Sequence, residues 1–268
     1  LAAAIDSYKH ALKIKPNYAE AYYSMGNALK VNGDLAAAID SYKRAIKIKP
    51  DYAEAYYSMG NAKKDNGDLA AAIDSYKRAI KIKPNYAEAY NNIGIALTNN
   101  GDLAAAIDSY KHALKIKPNY AEAYYNMGNA LKDNGDLDVA IGSYKQAIKI
   151  KPDYRKAYYN LGIILQDVEF SVPVEDLPEI IIEILDKKIC FKPSKIAPAV
   201  ISLIKLDADF QSVLNSYFAV ELQQTIKRAI SKLSTVPLLL KLMKLCPLPD
   251  LEIERLLTHL RSQILSNL

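Results

Sequence analysis

The stretch Ala19–Tyr52, AEAYYSMGNALKVNGDLAAAIDSYKRAIKIKPDY, returns nearly letter for letter as Ala53–Tyr86, Ala87–Tyr120 and Ala121–Tyr154. A half copy, Leu1–Tyr18, precedes the series, and another follows from Arg155 to about Val168. A fixed period of this length cannot bury its apolar faces within one unit. It buries them by stacking on its neighbours, so the repeat dictates an array in place of a globule around one core.

Each unit reads as two amphipathic helices. In the first, Tyr22, Met25, Gly26 and Leu29 fall at i, i+3, i+4 and i+7, one helical stripe. In the second, Leu35, Ala38, Ile39, Tyr42, Ala45, Ile46 and Ile48 make a wider apolar face. Asn32-Gly33-Asp34 separates the two: Gly33 supplies a left-handed residue after the first helix, and Asp34 is placed to cap the second. Pro50 ends that second helix. Asp51 is the expected cap of the next first helix, with Glu54 completing a capping box; Asn17/Glu20, Asn85/Glu88 and Asn119/Glu122 repeat the device. Gly26 and Ala38 are small enough to let the paired helices approach closely.

Tyr22, Gly26, Ala38, Tyr42, Ala45 and Pro50, present in every full unit, make this pattern resemble the tetratricopeptide repeat family. The resemblance covers roughly the first five-eighths of the chain. It implies an all-α fold: a right-handed superhelix, or α-solenoid, of four full repeats and two half repeats, followed by a non-repeat helical segment. It also implies a concave groove, lined by the first helices, that holds a peptide or another protein.

Composition narrows the function classes. The charge is a modest +5, half the residues are apolar, and no run is long enough to cross a membrane. Cys190 and Cys246 have neither CxxC nor Cys/His spacing, which fits buried free thiols and a cytoplasmic setting. No Gly-rich phosphate loop, nucleophile elbow or HExxH motif occurs, and the reading is of a non-catalytic chain without cofactor or metal. His259, flanked by Leu257 and Leu260, reads as an ordinary histidine. The chain starts in a second helix without its first, so self-association through that N-terminal half repeat is an expectation.

Differences between copies carry further information. Lys63 stands where other units have Leu29, Leu97, Leu131 and Leu165, and reads as a snorkelling side chain at a half-buried position, a binding contact being the other option. Asp40/Arg44, Asp74/Arg78, Asp6/His10 and Asp108/His112 have the spacing of i,i+4 surface pairs, which accounts for His10 and His112 without metal or catalysis. The Lys-rich ends of the second helices (Lys43, Lys47, Lys49 and equivalents) complement the helix C-terminus. They read as a solvated outer face, with neither nucleic acid nor membrane as partner.

The family's geometry turns first-helix positions two, five, six, nine and twelve toward the groove. From these come the candidate peptide-binding residues Tyr23, Asn27, Lys30, Tyr57, Asn61, Lys64, Asn91, Asn92, Tyr125, Asn126, Asn129 and Asn160. Amides can pair with a peptide backbone, and tyrosine rings give rigid contact area. Asn92, Asn126 and Asn160 stand where the superhelix of O-linked N-acetylglucosamine transferase carries its asparagine ladder; Ser24 and Ser58 interrupt that match. The chaperone-binding version of the fold uses Lys at position five, which here is Tyr or Asn, so a clamp for C-terminal carboxylates is not expected.

At Arg155-Lys156 two cations replace Ala-Glu at a helix N-terminus, which suggests that they face an acidic partner or the following segment. Asp167–Pro173 reads as a linker. The division expected is therefore 1–168 for the repeat array and 169–268 for a non-repeat all-α segment that covers the end of the array. Helices are expected near Val174–Lys188, Pro193–Leu206, Ala208–Ser231, Val236–Leu245 and Asp250–Asn267. The stretch PLLLKLMKLCPLPDLEIERLLTHLRSQIL resembles the region before the catalytic domain in bacterial tetratricopeptide proteins that end in a methyltransferase or other transferase. Two functions follow: an interaction scaffold gripping peptide or protein segments in its groove, or the substrate-recruiting portion of a larger transferase.

Overall fold

A computed structural model describes residues 2–187, 189, 192–218, 233, 236–245, 250 and 253–258, and among these it contains helices and no strand. The chain divides into two compact units, Leu1–Ser143 and Tyr144–Leu268.

In the first unit, α1 (Ala2–Ile14) is the isolated second helix. It is followed by the hairpins α2 (Ala19–Val31) with α3 (Leu35–Ile48), α4 (Ala53–Asp65) with α5 (Leu69–Ile82), and α6 (Ala87–Asn99) with α7 (Leu103–Ile116). Then come α8 (Ala121–Asn134) and α9 (Leu137–Ile150), the latter running into the second unit. Each hairpin closes on a glycine packed against a ring. A Cβ built on Gly26, Gly60 or Gly94 would lie only 2.6, 2.6 or 2.5 Å from Tyr42, Tyr76 or Tyr110, rings that are 0–1% exposed. The signature glycine and the signature aromatic are thus one contact, and a methyl group between them would force the ring out of a close-packed site. Ala38, Ala45 and their equivalents are fully buried around it.

The turns follow the sequence reading. Gly33, Gly67, Gly101 and Gly135 have φ of 82–89°, and the Asp34, Asp68 and Asp102 carboxylates accept the N–H of Ala37, Ala71 and Ala105 at 3.0–3.2 Å. The other cap does not. Residue Tyr52, not Asp51, caps α4, and Tyr18, Tyr86 and Tyr120 do the same for α2, α6 and α8, with no side-chain cap bond. Starting the helix one residue later puts Glu54 in its first turn and frees it to pair with Lys83 at 3.8 Å; Glu20–Lys49 (3.8 Å) and Glu88–Lys117 (3.2 Å) match. The same lysines lie over the capping tyrosines, Lys49 4.7 Å from the Tyr52 ring centroid and Lys83 4.6 Å from that of Tyr86.

The i,i+4 pairs of the second helices are also rearranged. Asp40 meets Lys43 (3.3 Å) and Asp108 meets Lys111 (3.6 Å), both i,i+3. Arg44 turns instead to the first helix, its guanidinium 5.7 Å from the Tyr22 ring, and His112 stacks on Tyr90 at 5.3 Å. The Arg44 guanidinium gains more from a ring it can cover than from an exposed carboxylate.

In the second unit, α10 (Arg155–Ile164) ends earlier than the apolar pattern suggests, and residues 165–176 are non-helical. Then come α11 (Leu177–Asp186), α12 (Pro193–Leu206), α13 (Ala208–Phe218) and α14 (Pro237–Leu245), and residues 253–258 are again helical. Ile181, Ile196, Val200, Phe210, Leu239 and Ile253 make the core of this unit. Tyr158 is buried between α10 and α11, where Lys187 lies 4.1 Å from its ring centroid and donates to its hydroxyl and to Glu183. Asp250 accepts from Ile253, the expected cap. Arg155 and Lys156 are exposed, so the described residues of the following segment do not cover them. Cys190, Cys246 and His259 lie outside the described residues, as do the ends assigned to the helices Ala208–Ser231 and Asp250–Asn267.

Candidate functional site

The first helices of the first unit lie side by side: α4 packs against α2 and α6, and α6 against α8, whereas among the described residues α3 and α5, and α5 and α7, approach each other less closely. Inner elements of a curved stack sit closer than outer ones, so the row of first helices forms the inner wall.

That wall carries a continuous polar chain. Tyr42 and Tyr76, with no exposed surface, donate their hydroxyls to the Oδ1 atoms of Asn27 and Asn61 at 2.8 Å. Asn92 Nδ2 donates to Asn61 Oδ1 at 2.8 Å and to the Tyr57 hydroxyl at 3.1 Å. Asn91 Nδ2 donates to Asn92 Oδ1 at 3.4 Å, and Asn91 Oδ1 accepts from Asn126 Nδ2 at 3.1 Å. Ser58 leans on the Tyr23 hydroxyl at 3.5 Å. Side chains from α4, α6 and α8 are thereby held in one orientation before anything binds.

Two rings stand on this wall as platforms. Tyr23 packs on Tyr42 and Tyr52 (centroids 6.1 and 5.1 Å), and Tyr57 on Tyr76 and Tyr86 (5.8 and 4.8 Å). Burial raises the Tyr57 phenol above its ordinary value, and the bonds from Asn61 and Asn92 offset part of that rise. At the far end of the helices Lys30 and Lys64 share the single carboxylate of Asp65, at 3.2 and 3.8 Å. Lys132 pairs with Asp133 at 3.3 Å.

Of the candidate residues, Tyr23, Asn27, Lys30, Tyr57, Asn61, Lys64, Asn92, Tyr125, Asn126 and Asn129 are half-buried in the first unit, and Asn160 is half-buried in the second. Asn91 is the exception. At 4% exposed it lies beneath the wall, linking Asn92 to Asn126. Sequence reasoning also missed what holds the wall in place. An apolar face accounts for the burial of Tyr42 and Tyr76 but not for their hydroxyls, which fix Asn27 and Asn61; the signal available is a tyrosine, not phenylalanine, at a fully buried position. Lys63 is tied into its own hairpin, donating to Ser75 Oγ at 3.0 Å and Ala71 O at 3.4 Å.

Among the described residues no group of three or more His, Cys, Asp or Glu could hold a metal ion, and no helix is long and apolar enough to cross a membrane. Comparison with known proteins bears on the family. A family model described as TPR repeat matches residues 1–33, 26–67, 60–101, 96–135 and 128–168. A solved structure of MamA is 33% identical with a TM-score of 0.53, the match covering 57% of this chain and 89% of that one. MamA from Desulfovibrio magneticus RS-1 (23% identical, TM-score 0.51, 55% and 82% covered) shares the fold. So does YrrB, described as a TPR protein with an unusual peptide-binding site (19% identical, TM-score 0.53, 80% and 98% covered). No curated protein matches the chain.

Proposed function

The chain belongs to the tetratricopeptide repeat family, and from that premise we propose that its inner wall is a groove that grips an extended segment of a protein partner. The family makes it a protein-interaction scaffold; the groove is the finer assignment. One observation carries it: the polar chain Tyr57–Asn61–Asn92–Asn91–Asn126 crosses three repeats and is half-exposed along most of its length. A solenoid needs no such chain for stability, since stacking of its apolar faces supplies that. A row of oriented amides at repeat spacing instead suits the periodic carbonyl and N–H groups of an extended backbone, and the Tyr23 and Tyr57 rings supply contact area at low entropic cost. We read residues 1–168 as the array that carries this groove and 169–268 as a separate helical segment.

The test is selection of peptides from a displayed library on the full chain. Selected peptides are expected to lose binding to Tyr57→Ala/Asn126→Ala and to keep it with the outer-face variant Lys47→Ala/Lys81→Ala. Equal binding to the wild type and the inner-wall variant would remove the groove.

A further inference from the structure

On the inner wall of the first two repeats, the hydrogen bonds already made leave the groove with a chemical preference. Asn27 Oδ1 already accepts the Tyr42 hydroxyl, and Asn61 Oδ1 accepts both Tyr76 and Asn92. The Tyr57 oxygen accepts from Asn92 and is bonded by Asn61, so its own proton is left to point elsewhere. The Tyr23 oxygen is approached by Ser58 in the same way. What these groups still have to offer is protons: the Nδ2 hydrogens of Asn27, a second Nδ2 hydrogen of Asn61, and the O–H of Tyr57. The Lys30 and Lys64 ammoniums add more donors, with one carboxylate, Asp65, between them. Glu20 and Glu54, at the opposite end of these helices, are each engaged by a lysine, Lys49 and Lys83.

Resting on the groove reading above, we propose that the partner is an acidic peptide: an extended segment whose Asp or Glu side chain is held by Asn61, Lys64 and the Tyr57 hydroxyl. A row of donors beside an incompletely neutralised ammonium recognises a carboxylate through charge-assisted bonds. A side-chain amide of Asn or Gln in that place would pair its oxygen but bring its N–H groups against donors and leave them unpaired. The third repeat sets where this preference stops. There Ile95 replaces Asn61, Thr98 replaces Lys64, and the Tyr110 hydroxyl is paired with Thr98 at 3.3 Å, so that part of the wall offers the ligand an apolar surface and no ammonium. The recognised segment therefore carries its acid over repeats one and two and an apolar side chain over repeat three.

The experiment takes the peptides selected on the full chain and measures their affinity by fluorescence anisotropy, replacing each Asp or Glu in turn by Asn or Gln. One Glu→Gln exchange is expected to weaken binding about tenfold, the size of a charge-assisted bond. With Lys64→Gln, a half-buried surface position whose fold is checked by circular dichroism, the Glu and Gln peptides should bind alike. Peptides that depend on Tyr57 yet show no Glu/Gln difference would overturn the acidic preference and leave the groove standing. Peptides indifferent to Tyr57→Ala/Asn126→Ala would overturn both.

Discussion

The second and third repeats, Ala53–Tyr86 and Ala87–Tyr120, share their scaffold and differ in their wall. Gly60 against Tyr76 and Gly94 against Tyr110 are the same contact, as are the caps Asp68 and Asp102 and the turns Gly67 and Gly101. On the inner wall, Tyr57, Asn61 and Lys64 become Asn91, Ile95 and Thr98. These changes are not independent. A buried phenol needs a hydrogen-bond partner, so losing Asn61 in favour of Ile95 requires a replacement acceptor, and Thr98 supplies it. Thr98 gives its own proton to Gly94 O at 2.9 Å, so the Tyr110 hydroxyl is the donor of that pair. Stacking fixes the scaffold, whereas the wall varies in sets closed by the buried tyrosine hydroxyl.

The scaffold should fail alike in both repeats. Gly60→Ala and Gly94→Ala each place a methyl group inside a buried ring, and each is expected to cost about 3 kcal/mol in urea unfolding followed by circular dichroism. A large difference between the two would show that the contact is not shared. Converting one wall into the other is the sharper test. Asn61→Ile leaves the Tyr76 hydroxyl buried without its acceptor and should cost about 2 kcal/mol; adding Lys64→Thr should recover most of it, as Thr98 serves Tyr110. Strict additivity of the two changes would contradict the coupling.

Alkaline pH reaches the same phenols. Burial pushes Tyr110 up to about 12 and raises Tyr42 and Tyr76 as well. These folded-state values lie above those of the unfolded chain, so their contribution is complete below pH 10 and is lost as pH rises through the folded value. Tyr110 alone should lower stability by about 1 kcal/mol at pH 11, read as a falling urea midpoint alongside phenolate absorbance. The smallest effect is expected at the turns. Gly67→Ala meets no neighbouring atom but must hold φ of 85°, which costs about 1 kcal/mol.

Much of this was legible in the residues themselves. A turn such as Asn32-Gly33-Asp34 is settled within three residues, and the stripe Tyr22, Met25, Gly26, Leu29 follows from helical periodicity, so both could be read locally. Where two partners compete, the sequence left the choice open. Asp51 and Tyr52 could both begin a helix, and the start at Ala53 brings Glu54 to Lys83, which caps the end of α5. Arg44 had Asp40 within reach along the helix and Tyr22 across the hairpin, and took the ring. Asn91 stood in line with Tyr57 and Tyr125 yet is covered, because exposure depends on what the adjacent repeat leaves open. Each of these outcomes turns on a neighbour one helix away.

On the reading proposed above, the inner wall is the surface that holds a partner. Side-chain amide resonances of 15N-labelled protein, followed during titration with a selected acidic peptide, test it directly. Asn27, Asn61 and Asn92 are expected to shift together, while the outer-helix residues Lys47 and Lys81 keep their backbone signals unchanged. Shifts confined to the outer helices, with those three amides unmoved at saturation, would contradict it.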